Sequence, residues 1–175
     1  MRAFAKSIVV SILVAICILL FTNLAYFFPW YMTLVIETFN VSQVVASDNY
    51  LKKTYYEDAL QELKKRPIYS KKDDEIKIIA EHKDGHSVIG DDDASLYEDK
   101  PEIDKPYRQR GVPVKVTIKA VYPLSIKLWG KEYERDIPIS FSLSATGLRH
   151  YKDLEYYEYL DNWNSDSESE SGSEP

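Results

Sequence analysis

Residues 7–28, SIVVSILVAICILLFTNLAYFF, constrain this chain more than any other stretch. They contain no charged side chain, and only Ser7, Ser11, Thr22 and Asn23 are polar. A helix of that length is about 33 Å long at ~1.5 Å per residue, which matches the ~30 Å hydrocarbon layer of a bilayer. The sequence therefore predicts a transmembrane helix over 7–28, with Ile8, Leu13, Ile18 and Leu20 as anchor residues in lipid. Tyr26 and Trp30 complete the expected anchor at the headgroup layer, where aromatic rings with a polar atom collect. Arg2 and Lys6 flank the run on its N-terminal side without an acid, a bias that keeps residues 1–6 in the cytoplasm and sends the C-terminal part across.

The run is longer than the roughly 7–15 residues of a signal-peptide core. The candidate cleavage triplet Asn23-Leu24-Ala25 puts Asn where a small residue belongs. A retained anchor fits better than a cleaved signal. The Gly and Glu of a prepilin-type processing site are not found around the run. Pro29 lacks an amide and is expected to kink or stop the helix, with the membrane exit between Tyr26 and Tyr31.

Beyond the anchor, apolar residues recur at steps of three and four from Met32 and Val35 to Leu60 and Leu63, one face of a helix. Arg66-Pro67 ends this pattern, because a residue before proline avoids the helical basin. An amphipathic helix is thus expected over 32–66. Residues 67–160 read as an α+β domain outside the cytoplasm. In it, 75–83 (EIKIIAEHK) predicts a short strand, Asp84-Gly85 a turn, and 90–106 an exposed acidic loop. The clearest alternation lies in three runs, VPVKVTIKAVY, LSIKLW and DIPISFSLSAT. Each puts its apolar residues on one side, the mark of a half-buried antiparallel sheet. Pro123 is expected to separate the first run from the second. The helix stripe and the sheet face are each unburied alone, so the fold class is α+β, with the amphipathic helix packed on a small antiparallel sheet. Residues 148–160 suggest a short helix. The Ser/Glu tail 161–175 has nothing to bury and is expected to be disordered.

Charge and thiols narrow the function. The five acids of the tail account for all but one unit of the formal net charge of −6, so nothing suggests binding to nucleic acid, which needs a basic face. Cys17 is the single cysteine, which rules out an internal disulfide or a Cys-based metal site. His82 and His86 have helical metal spacing, but Asp84-Gly85 between them makes both exposed turn residues. Asp91, Asp92 and Asp93 lack the alternation of a calcium loop. The nucleophile elbow and the phosphate-binding glycine loops are missing as well. No catalytic residue, cofactor or metal ligand is expected. Tyr151, Tyr156, Tyr157 and Tyr159 form a cluster that serves either as a partner contact, since Tyr anchors interfaces, or as a cap on the domain's own core.

A basic N-terminus, one apolar helix and an amphipathic continuation ending near Lys65 precede VPVKVTIKAVYPLSIKLWGKEYERDIPISFSLSATG. This order of parts over residues 7–147 resembles type IV pilin-like proteins. Among them it is nearest to TadE-like minor pseudopilins of tight-adherence systems and small pilin-like proteins of Gram-positive conjugative elements. The resemblance implies a non-catalytic subunit of a surface assembly, secretion or conjugation apparatus in the cell membrane. Its partners would be membrane lipid, other pilin-like subunits and the envelope machinery. The alternative from the residues alone is a bitopic accessory protein that binds a partner through its sheet edge or the Tyr-rich segment. A membrane-tethered enzyme ranks third.

Overall fold

The computed structural model describes residues 2–128 and 130–154. The acidic tail, Tyr156, Tyr157 and Tyr159 lie outside the described residues. Helix α1, Arg2–Asp48, is a single helix of 47 residues that includes Pro29. It contains the apolar run, long enough to cross a membrane, and continues into the domain. The helix does not stop at Pro29. Phe27 and Trp30 both pack on Tyr122, so tertiary contacts on either side of Pro29 hold the helix across the one amide it lacks.

The helical pattern over 32–66 is instead broken at Asn49, which sits in the left-handed region at φ 60°. A two-residue strand β1, Leu51–Lys52, and helix α2, Lys53–Lys65, follow. Strand β2 is Lys77–His82 and β3 is Ile89–Gly90. β1 pairs in parallel with β3. Strands β4, Pro113–Leu128, and β5, Lys131–Thr146, form one long hairpin of 16 residues a side. The main sheet is antiparallel in the order β2-β4-β5.

Pro123 therefore does not separate two strands. It pairs with Asp136, and Pro138 pairs with Val121. Two pairs apart, these positions are of the same kind. A proline fits the kind whose amides point away from the partner strand. β2 covers β4 only at Val114–Lys119, so the outer side of β4 is open at Pro123. At the tip, Gly130 takes φ 76°, a left-handed conformation that glycine adopts without strain.

The core lies between α1 and the sheet. Leu34, Thr38, Val41 and Val45 are buried along one face of α1, at helical spacing. Cross-strand rows His82/Val114/Ala145, Ala80/Val116/Leu143 and Ile78/Ile118/Phe141 face it. Each fully buried Val, Leu or Ile contributes about 1.5–3 kcal/mol. The end of α1 is locked by Asn49, whose Nδ2 donates to the carbonyls of Arg108 (2.9 Å) and Arg149 (2.6 Å) while its Oδ1 accepts from Arg149 N (2.8 Å). Residues 148–154 are irregular where a helix was expected.

Candidate interaction surface

The apolar run is exposed over most of its length. Ile8, Leu13, Ile18, Leu20 and Tyr26 are all exposed on α1, as side chains that face lipid would be. Trp30 is not one of them and corrects the expected anchor set. It is only 2% exposed, with its ring against Tyr69 and Tyr122, and Tyr69 donates its hydroxyl to the Trp30 carbonyl at 2.9 Å. Tyr31 likewise meets Phe141 edge-on. Trp30 and Tyr31 thus belong to the base of the domain.

The outer face of α1 holds an apolar stripe. Leu24, Phe28, Met32, Ile36 and Phe39 are exposed at steps of four and three, so they share one side of the helix. The stripe begins in the apolar run and climbs beside the domain, ending at the exposed polar residues Asn40 and Gln43. A second open surface is the free side of β5, the outer strand of the sheet. From Ile137 to Leu148 the chain has no charged residue, and an uncharged strand edge accepts a further strand readily.

Tyr151 belongs to neither surface. It is buried, stacks on Tyr107 at 3.9 Å and donates its hydroxyl to the Asp48 carbonyl at 2.7 Å. Of the two roles open to it, the cap on the core is the one it fills. Around it, Gln109 Nε2 donates to the Tyr151 carbonyl (2.9 Å), and Asp153 accepts from Lys105 Nζ (2.6 Å) and the Tyr107 hydroxyl (2.8 Å). Burial pushes the Asp153 carboxyl up, but these two hydrogen bonds outweigh it and hold the group below the usual carboxylate value. Lys105 is itself buried and committed to this pair, which makes the cluster a fastening for the C-terminal segment.

His82 corrects the expectation of an exposed turn residue: it is buried at the end of β2, and the turn begins after it. Neither ring nitrogen makes a hydrogen bond of good geometry. The carbonyls of Pro106 and Pro113 favour the charged ring, but burial and the Arg108 guanidinium outweigh them and lower its pKa. Asp92 accepts from the Thr54 amide at 3.1 Å and from the Thr54 hydroxyl, and Asp93 caps a short 3-10 turn by accepting from Ser95 N at 3.0 Å. Glu37 lines a groove of about 160 Å³ between α1 and α2. Its carboxyl is raised by burial and by Glu62, against Arg66 at 3.5 Å. Among the described residues no group of three or more potential ligands is placed to hold a metal ion.

No family model, no curated protein and no solved structure matches the chain. The arrangement itself defines an α+β domain carried on a helix long and apolar enough to span a membrane, with an exposed apolar stripe on that helix and an uncharged edge strand.

Proposed function

We propose that this is a single-pass membrane protein whose domain stands outside the cytoplasm as a pilin-like, non-catalytic subunit of a surface assembly, secretion or conjugation apparatus. The observation that carries this reading is the stripe Leu24–Phe28–Met32–Ile36–Phe39. Lipid accounts for its lower part only. Met32, Ile36 and Phe39 flank a helix already packed on the sheet, and burying each would contribute about 1.5–3 kcal/mol. A partner that meets a stripe continuous with the span must itself rise from the bilayer, as a sister subunit does. Lateral helix contacts would then replace lipid as subunits assemble. Arg2 and Lys6 support the orientation.

Cysteine cross-linking tests it. In a Cys17→Ser background, Ile36→Cys should form disulfide-linked dimers in native membranes and Lys100→Cys should not. Equal yields at the two positions would overturn lateral packing through the stripe. A second reading, an accessory subunit that binds its partner by strand addition, is favoured by the uncharged edge of β5. It would show as cross-links from Ser142→Cys to a different protein, lost when Ser140 and Ser144 are replaced by Lys.

A further inference from the structure

The exposed stripe of α1 and the groove between α1 and α2 flank the same residue, Ile36. At ~100° per residue, Phe39 lies about 60° to one side of Ile36, whereas Asn40 and Val44 lie about 40° and 80° to the other. Phe39 stands out from its flank, 51% exposed. The opposite flank is hollow. The groove there holds about 160 Å³ and is lined by Val41, Val44, Leu51 and Ala59 among others, with Val41 and Leu51 part of the buried core. Its α1 wall runs from Glu37 to Val44, about 10 Å along the axis. Phe39 falls within that height.

The groove suits one aromatic ring. A cavity of ~150 Å³ accepts benzene, so 160 Å³ has room for a single phenyl group. The carboxylates at its edge do not compete for that space. Glu37 is buried and faces Arg66 at 3.5 Å, and Arg66 also holds Glu62 at 2.9 Å. Asp58 and Glu62 are exposed on α2, so they stay in water at the mouth while a ring covers the apolar floor.

Copies anchored in one bilayer point the same way, so a closed pair has its two-fold axis along the membrane normal. Such an axis preserves height, and it sets each flank of one helix against the opposite flank of the other. With Ile36 on the axis, both Phe39 rings meet grooves at once. We propose that two copies of this chain pair about Ile36, each seating its Phe39 in the α1–α2 groove of the other. The proposal rests on lateral packing through the stripe and adds which partner and which contacts. Area favours a second copy over a soluble partner. Three partly exposed side chains, Met32, Ile36 and Phe39, and one groove do not reach the ~800 Å² per partner of a standard interface. A second copy also brings a span. Ser11, Thr22 and Ala25 lie within about 40° of the Ile36 side of the helix, and small residues let two spans approach.

Photo-cross-linking of the full chain in native membranes tests this. Phe39→p-azidophenylalanine keeps the ring and makes it reactive, and co-expression with an isotope-labelled copy separates links between chains from links within one. Irradiation should give a dimer in which position 39 is joined to residues 51–62 of the other copy, at least threefold more than to its residues 24–39. Ile36→Cys in the Cys17→Ser background reports lateral packing separately. If Ile36→Cys forms dimers but position 39 joins mainly residues 24–39, or gives no dimer, the groove contact is refuted and packing through the stripe stands. If Ile36→Cys forms no dimer either, the stripe reading falls and the reciprocal pair with it.

Discussion

Replacing Asn49 should be among the most damaging changes outside the apolar core. The residue is 1% exposed, sits at φ 60°, and joins the end of α1 to two distant segments by three hydrogen bonds. Asn49→Ala removes all three, at about 1 kcal/mol each when the partners are buried. It also places an alanine in the left-handed region, which costs roughly 1–2 kcal/mol. The expected loss is about 4–5 kcal/mol, a large part of the ~5–15 kcal/mol of a typical domain. Asn49→Gly should lose only the hydrogen-bond part, about 3 kcal/mol, because glycine adopts the same φ freely. Gly147 provides an internal check. A methyl group there would lie 2.5 Å from the Asn49 side chain, so Gly147→Ala should be costly alone but far milder on top of Asn49→Ala, which empties that space. Urea unfolding of the full chain in detergent micelles, followed by tyrosine and tryptophan fluorescence, compares the four variants with the wild type. A loss below 1 kcal/mol for Asn49→Ala, or equal losses for Ala and Gly, would refute this account of the helix end.

Three further outcomes are expected. Because burial lowers the His82 pKa below its ordinary 6.5, the unfolded chain binds the proton more readily. Stability should therefore fall as pH drops below about 6.5, and His82→Leu should flatten that slope in unfolding midpoints measured from pH 7.5 to 5.5. Val116 is fully buried and Lys115 exposed on the same strand. Val116→Asp should thus unfold the domain at a cost of several kcal/mol while Lys115→Asp leaves the melting temperature unchanged. On intact cells, Lys100→Cys in the Cys17→Ser background should react with a membrane-impermeant thiol reagent. Protection until lysis would reverse the orientation.

What the sequence made legible were features with a long period. The apolar run, the alternation around Val114, Val116 and Ile118, and the helical stripe through Val41 and Val45 each repeat often enough to reveal their face. The single residues misled. Pro29 and Pro123 are local stop signals, but each lies where tertiary packing or an open strand side removes the penalty. Asn49 gives no such signal in sequence, since Val45, Leu51 and Tyr55 carry the stripe past it. The break depends on Arg108 and Arg149, which are distant in the chain. His82 reads as a turn residue beside Asp84-Gly85, yet it occupies the last inward position of β2. Trp30 and Tyr151 show that an aromatic residue's preference for an interface does not say which interface. The exposed stripe of α1 was hidden for the opposite reason. Met32, Ile36 and Phe39 look like core positions until the structure shows which side the sheet takes.

The continuity of α1 has a mechanical consequence. The helix passes from the apolar run into the domain without a linker, and at ~1.5 Å per residue it is a rod of about 70 Å. No loop separates its two ends. A tilt applied near Asp48 would therefore be passed toward Phe4 through one continuous helix. Over the ~27 Å from Trp30 to Asp48 and the ~39 Å from Trp30 to Phe4, a rotation of about 3° would displace either end by roughly 1–2 Å.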